Sequence, residues 1–155
     1  MEISQELFYK NCLKLESANP QLATDVKSHF QTKFDFRIVR GLANTISVSG
    51  KQLSSRHNPK REAEVQASFI TESKEIYLYG VGLGYLSENL LTRAQLSKLN
   101  IKILNLSLFS LVLSLRDQGT WISDERVYIS LASSDLDLQT PYFAFHPDVL
   151  LADDR

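Results

Sequence analysis

The chain has 155 residues, enough to bury a core without disulfides or metal staples. With 43% hydrophobic and 23% charged residues it falls outside the disordered and fibrous classes. Its 17 basic and 18 acidic residues, a formal net charge of -1, leave no global electrostatic footprint for nucleic acid.

The N-terminal stretch MEISQELFYKNC lacks the basic start and apolar run of a secretory signal. Leu7, Phe8, Cys12 and Leu15 follow at helical spacing, and Leu22, Val26 and Phe30 repeat that spacing after Asn19 and Pro20. Asn19 is an N-cap and Pro20 suits the first helical position, so two helices joined by a short turn are expected. From residue 34 to 48 the period changes to two, with Phe34, Phe36, Ile38, Ile46 and Val48 alternating with polar residues around Gly41. That is a hairpin pattern. A soft boundary falls near residues 50–58, dividing the chain into 1–52 and 53–155.

The second part alternates strands with helices. EIYLY at 75–79 is apolar on both faces after its first residue, as in a buried parallel strand. A glycine turn leads to a helical stretch at 85–99, then a strand in IKILNL. A second helix at 107–119 ends at Gly119 as a left-handed C-cap, and a third strand occupies 126–132. This βαβαβ order predicts a Rossmann-like α/β fold, mostly parallel, with helices on both faces of the sheet. The strand at 75–79 is expected between those at 101–105 and 127–131. The apolar stretch at 103–115 is too short and too serine-rich to span a membrane.

Chemistry concentrates first in GVGLGYLSEN, which follows a strand and opens a helix. Gly80 permits a tight turn, Gly82 lets a ligand approach the backbone, and Gly84 allows close packing at a helix N-terminus, where N–H groups attract anions. The same glycines equally serve a bare strand-to-helix turn. The sixth position of a dinucleotide-type G-x-G-x-x-G is Tyr85, which argues against an ordinary NAD site, and no Gly-Lys-Ser/Thr exists for a P-loop. An adenosine site wants an acid about 20 residues beyond the glycines; Asn105 stands there, an acceptor without charge. A methyltransferase-type loop wants an acid two residues before the first glycine, where this chain has Leu78.

The segment LSSRHNPKREAEVQASF at 53–69 begins a helix, with Asn58 as N-cap, Pro59 next, and Ala63, Ala67 and Ile70 on the buried side. Arg56, His57, Asn58 and Arg61 gather at its start as candidate anion-binding residues. The alternative is a capped surface helix with ion pairs such as Lys60 with Glu64. Asp135 and Asp137 form a D-x-D of the kind that holds a metal and a sugar-nucleotide diphosphate. His29, His57 and His146 show no metal-ligand spacing, and no metal site is expected. His29 and His146 are read as structural or solvated. Trp121 and the aromatics Tyr142, Phe143 and Phe145 are core or interface. Cys12, the single cysteine, forms no intramolecular disulfide, which makes a reducing, cytoplasmic compartment the expectation.

Two motifs carry a family resemblance. In one, Ser55, Asn58, Pro59, Glu62 and Ala63 match "Ser-x-x-(Asp/Asn)-Pro-x-x-Glu-Ala"; in the other, Gly80, Gly82, Leu83, Gly84 and Tyr85 match "Gly-x-Gly-Leu-Gly-Tyr". Together they are similar to the N-terminal domain of the motility accessory factor family. Those flagellin-glycosylating proteins are related to the 6-hydroxymethylpterin diphosphokinase MptE-like group. The resemblance covers roughly residues 30–150 and accommodates Tyr85. It implies a domain of a longer protein whose sugar-transferring region lies downstream, and family strands tend to carry an acid where this chain has Asn105. The expected function is therefore an accessory or ligand-binding domain without a complete catalytic set. Its candidate ligands are a nucleotide, an activated sugar or S-adenosylmethionine, and its candidate partner is a downstream transferase domain or another protein. The alternatives are a methyltransferase-like or other nucleotide-dependent transferase and a protein-interaction scaffold. Neither nucleic acid nor membrane is an expected partner.

Overall fold

The computed structural model describes residues 1–30 and 35–132, together with the backbone of a strand at 142–144. Helix α1 (Gln5–Ala18) begins at Ser4, whose Oγ accepts the Leu7 N–H at 3.1 Å. Asn19 separates it from α2 (Pro20–Ser28) and serves three elements at once. Its N–H closes α1 on the Leu15 carbonyl at 2.7 Å, its Oδ1 caps α2 through the Leu22 N–H at 3.1 Å, and its Nδ2 donates to the Ile129 carbonyl at 2.8 Å. Phe8, Cys12, Leu15, Leu22 and Val26 are buried as their spacing requires, and Phe30 stacks on Phe8 with ring centroids 4.2 Å apart.

The hairpin is β1 (Arg37–Val39) and β2 (Thr45–Val48), paired antiparallel with Ile38 opposite Ile46. A third strand, β3 (Lys51–Gln52), extends it through a turn in which Ser49 and Gly50 both adopt positive φ. Two residues leave no sequence periodicity, so this strand is invisible in the pattern. Ile46 and Val48 are buried with Leu108, Leu111, Val112 and Leu115, and Phe36 and Ile38 pack at the margin. Helix α3 (Pro59–Ser68) then leads to the main sheet.

That sheet consists of β4 (Glu75–Tyr79), β5 (Lys98–Ile103), β6 (Val127–Leu131) and β7 (Tyr142–Ala144), in the order β6-β5-β4-β7 and all parallel. The sequence expectation placed β4 between the other two; β5 holds that position. Successive right-handed crossovers step in one direction, so three consecutive strands lie in chain order and their helices share one face. The freed edge of β4 takes β7. Ile76 and Leu78 of β4, Leu99 and Ile101 of β5 and Ile129 of β6 form one core cluster with the buried residues of α1 and α2. The other face carries Tyr77, Asn100 and Tyr128 in register, with Tyr128 56% exposed. Burial on both faces, expected for β4 after its first residue, holds only at its end, where Leu78 and Tyr79 are both buried.

Two helix boundaries differ from the pattern. Helix α4 covers only Tyr85–Leu90, where the apolar spacing runs on to 99. Arg126, clamped by Asp124 at 2.7 Å, donates to the Leu91 carbonyl at 2.7 Å and the Arg93 carbonyl at 3.3 Å, and Arg93 donates to Ala67 and Ile70. Groups that a continued helix would pair internally are thus engaged by distant residues, and the apolar Leu99 enters β5 instead. Helix α5 (Leu106–Leu113) is likewise short, and Gly119 is not its C-cap. Gly119 starts a one-turn helix, α6 (Gly119–Ile122), its N–H held by Asp117 Oδ1 at 2.8 Å. Among the described residues no helix is long and apolar enough to cross a membrane.

Candidate functional site

The glycine loop lies at the carboxyl end of β4, the edge where open parallel sheets of this class take ligands. The Gly80 N–H completes the ladder on the Lys102 carbonyl at 2.9 Å. Gly80, Gly82 and Gly84 then take φ of 93°, 58° and 93°, a left-handed alternation that side-chain-bearing residues resist. All of residues 80–84 are buried.

The loop is held from behind. The Leu83 carbonyl accepts two side-chain donors, Arg116 Nη1 at 2.8 Å and Gln118 Nε2 at 3.0 Å. Gln118 Oε1 in turn accepts the Trp121 indole N–H at 2.6 Å. A Cβ on Gly84 would clash with that Gln118 oxygen and come within 2.9 Å of the indole nitrogen, so Gly84 answers a packing demand as well as a backbone one. The Arg116 guanidinium lies 3.9 Å from the Tyr85 ring centroid and pairs with Glu88 at 2.9 Å, with both charged side chains about a fifth to a quarter exposed. Ser87, in the first turn of α4, keeps a buried hydroxyl without a hydrogen-bond partner. The carbonyl four residues before it, the usual acceptor for a helical serine, is the doubly occupied Leu83.

Asn105 stands two residues beyond the end of β5, and its Oδ1 caps α5 by accepting the Leu108 N–H at 2.9 Å. The second motif is self-contained. Ser55 Oγ accepts the N–H groups of His57 and Asn58, both at 3.1 Å; Asn58 Oδ1 accepts that of Arg61 at 3.0 Å; Glu62 reaches back to the Ser55 N–H at 3.0 Å. Arg56 and His57 are exposed, and the Arg56 carbonyl is bound by the Ala43 N–H at 3.0 Å. Glu64 pairs with Arg61 at 2.9 Å rather than with the anticipated Lys60.

The two motif segments meet across α3 and α4 around a cavity of about 210 Å³, lined by Lys60, Ala63 and Glu64 on one side and Tyr85, Glu88 and Asn89 on the other. Arg56, His57 and Arg61 do not line it. Among the described residues no cluster of His, Cys, Asp or Glu is suited to a metal. Asp135, Asp137, Phe145 and His146 lie outside the described residues, as do the side chains of Tyr142 and Phe143. His29 Nδ1 lies 2.9 Å from the Asp25 carbonyl at the end of α2, a structural place. Burial pushes the Cys12 thiol up to about 11, so it stays protonated and unreactive at neutral pH.

Arg116 and Gln118 are absent from the sequence expectation because the stretch through residue 118 reads as one continuous helix. The signal lay in RDQG, where the apolar run of LVLSL breaks into four polar or flexible residues.

These features define a Rossmann-like α/β domain with a glycine turn at the carboxyl edge of its sheet. No protein-family model and no curated protein matches the chain. Among solved structures it is similar to the MAf glycosyltransferase from Magnetospirillum magneticum AMB-1, with a TM-score of 0.63 and 13% sequence identity. The match covers 98% of this chain and 34% of that one, so the chain spans about a third of the length of that protein. At this identity the likeness establishes the fold.

Proposed function

We propose that the chain is a ligand-binding accessory domain of protein glycosylation, of the motility accessory factor type, without a complete catalytic set of its own. The observation that carries this reading is the fold match to a MAf glycosyltransferase over nearly the whole chain. The two motifs add to it, and they alone support the narrower kinship with the MptE-like group. The ligand seat is the loop of Gly80, Gly82 and Gly84 with Tyr85 and Asn105, at the sheet edge where this fold class binds nucleotides. The candidate ligands are a nucleotide, an activated sugar or S-adenosylmethionine. Arg56, His57 and Arg61, beside the Asn58-capped start of α3, are exposed cations for an anionic group. A second reading, a protein-interaction scaffold, is favoured by Val65 and Phe69, which are 44% and 80% exposed one turn apart along α3.

Thermal denaturation of the full chain separates the two. A ligand at about 100 times its dissociation constant stabilises a fold by about 2.7 kcal/mol, which raises the melting temperature of a domain this size by roughly 5 to 10 °C. S-adenosylmethionine, S-adenosylhomocysteine, cytidine monophosphate and cytidine-activated sugars are the panel. Gly82→Asn, which tolerates the left-handed backbone but adds a side chain, is expected to remove the shift. A panel without any shift at millimolar concentration rejects the ligand reading and leaves the scaffold.

A further inference from the structure

The polar contacts behind the glycine loop continue past Gln118. Asn11, on the second turn of α1 and fully buried, accepts the Gln118 N–H on its Oδ1 at 2.9 Å. Its Nδ2 donates to two carbonyls, Leu113 at 2.8 Å and Arg116 at 3.0 Å. One amide therefore pins both ends of the link between α5 and α6. The same link supplies both donors to Leu83: Arg116 and Gln118. Gln118 is fully buried too, and its side chain is used at both ends, toward Leu83 and toward Trp121.

We infer that Asn11 is a positioning residue for the glycine loop: α1 sets the loop's shape through the chain Asn11, Gln118, Leu83, across more than 70 residues of sequence. The physical basis is satisfaction of buried polar groups. With the Asn11 amide gone, the buried Gln118 N–H and Leu113 carbonyl and the part-buried Arg116 carbonyl lose partners, and each orphaned group favours a rearranged link. The link cannot move without displacing the Gln118 amide that fills the space beside Gly84. The functional consequence, control of a ligand seat from the N-terminal helix, rests on the reading above. The coupling itself concerns the free protein.

The test is therefore made without ligand, by nuclear magnetic resonance on the full chain. Trp121 is the single tryptophan, so its indole N–H gives one signal that reports the bond to Gln118. Asn11→Ala is expected to move that signal toward the position of an unbonded indole, to shift the amide signals of Leu83 and Gly84, and to speed exchange of those amides by roughly tenfold. Leu22→Ala, a core truncation in α2 outside this chain of hydrogen bonds, controls for general loosening. Asn11→Ser keeps a small polar group at this position but cannot serve all three partners at once; it is expected to give smaller shifts in the same direction, and it carries the test if Asn11→Ala does not fold. Unmoved Trp121, Leu83 and Gly84 signals in the folded variant, or equal movement in Leu22→Ala, overturn the inference.

Discussion

The two segments that share the α3–α4 cavity obey opposite rules. Residues 55–63 are held mainly from within: every hydrogen bond among Ser55, His57, Asn58, Arg61 and Glu62 closes within seven residues of sequence, and the Arg56 carbonyl also takes the Ala43 N–H. The glycine loop is held by others, through Arg116 and Gln118 more than 30 residues away and, behind them, Asn11. The first segment is a helix start that its own side chains cap. The second is a shape imposed from outside, by side chains far along the sequence.

The sharpest way to break that comparison is Gly84→Ala. The added methyl meets Gln118 Oε1 at a position fixed by further bonds, on a backbone with φ of +93°. We expect a loss of about 3 kcal/mol or more in urea titration. Gly50→Ala is the matched control, because its φ of +76° is similar but nothing lies within 4 Å of the new methyl; about 1 kcal/mol is expected. Equal losses at the two glycines would mean that packing behind the loop is unimportant. Next in size is Gln118→Ala, which orphans the buried Trp121 N–H and leaves a void; about 2 kcal/mol is expected, with the Trp121 emission shifted. On the self-contained side, Asn58→Ala removes one exposed cap and should cost about 1 kcal/mol by the same titration. Arg61→Ala, losing an exposed pair with Glu64, should stay within about 0.5 kcal/mol.

The smallest effect is a pH dependence at the α5–α6 link. The Gly119 N–H and the Lys10 ammonium hold the Asp117 carboxyl below the usual carboxylate range. A depressed folded-state pKa contributes stability above the unfolded value, near 4, and that contribution is lost as pH falls through the folded value. Stability measured from pH 5 down to pH 2 should therefore fall less steeply in Asp117→Asn than in the parent. An unchanged slope would remove Asp117 from the account.

The contrast also explains what was legible in the sequence. The Asn58 and Asn19 caps, the βαβαβ order and the placement of the glycine turn after a strand are local signals, and each appears where the pattern put it. The early stop of α4 was not legible, because Arg126 engages the Leu91 carbonyl from 35 residues away. The opening of α6 at Gly119 was hidden for the same reason, since Asn11 fixes that link from the far end of the described chain. Asn105 lies two residues beyond the end of β5, past the strand end expected for it, and its use as a helix cap depends on where α5 begins, which spacing to the glycines does not encode.

The central claim, that the glycine loop is a ligand seat, is tested most directly by mapping backbone amide signals of the full chain during titration with cytidine monophosphate, a cytidine-activated sugar and S-adenosylmethionine. The account predicts that at least one of them saturably shifts the signals of Gly80, Gly82, Gly84 and Tyr85, with Asn105 following. Saturable shifts confined to Val65 and Phe69, or no saturable shift from any of the three, would contradict it.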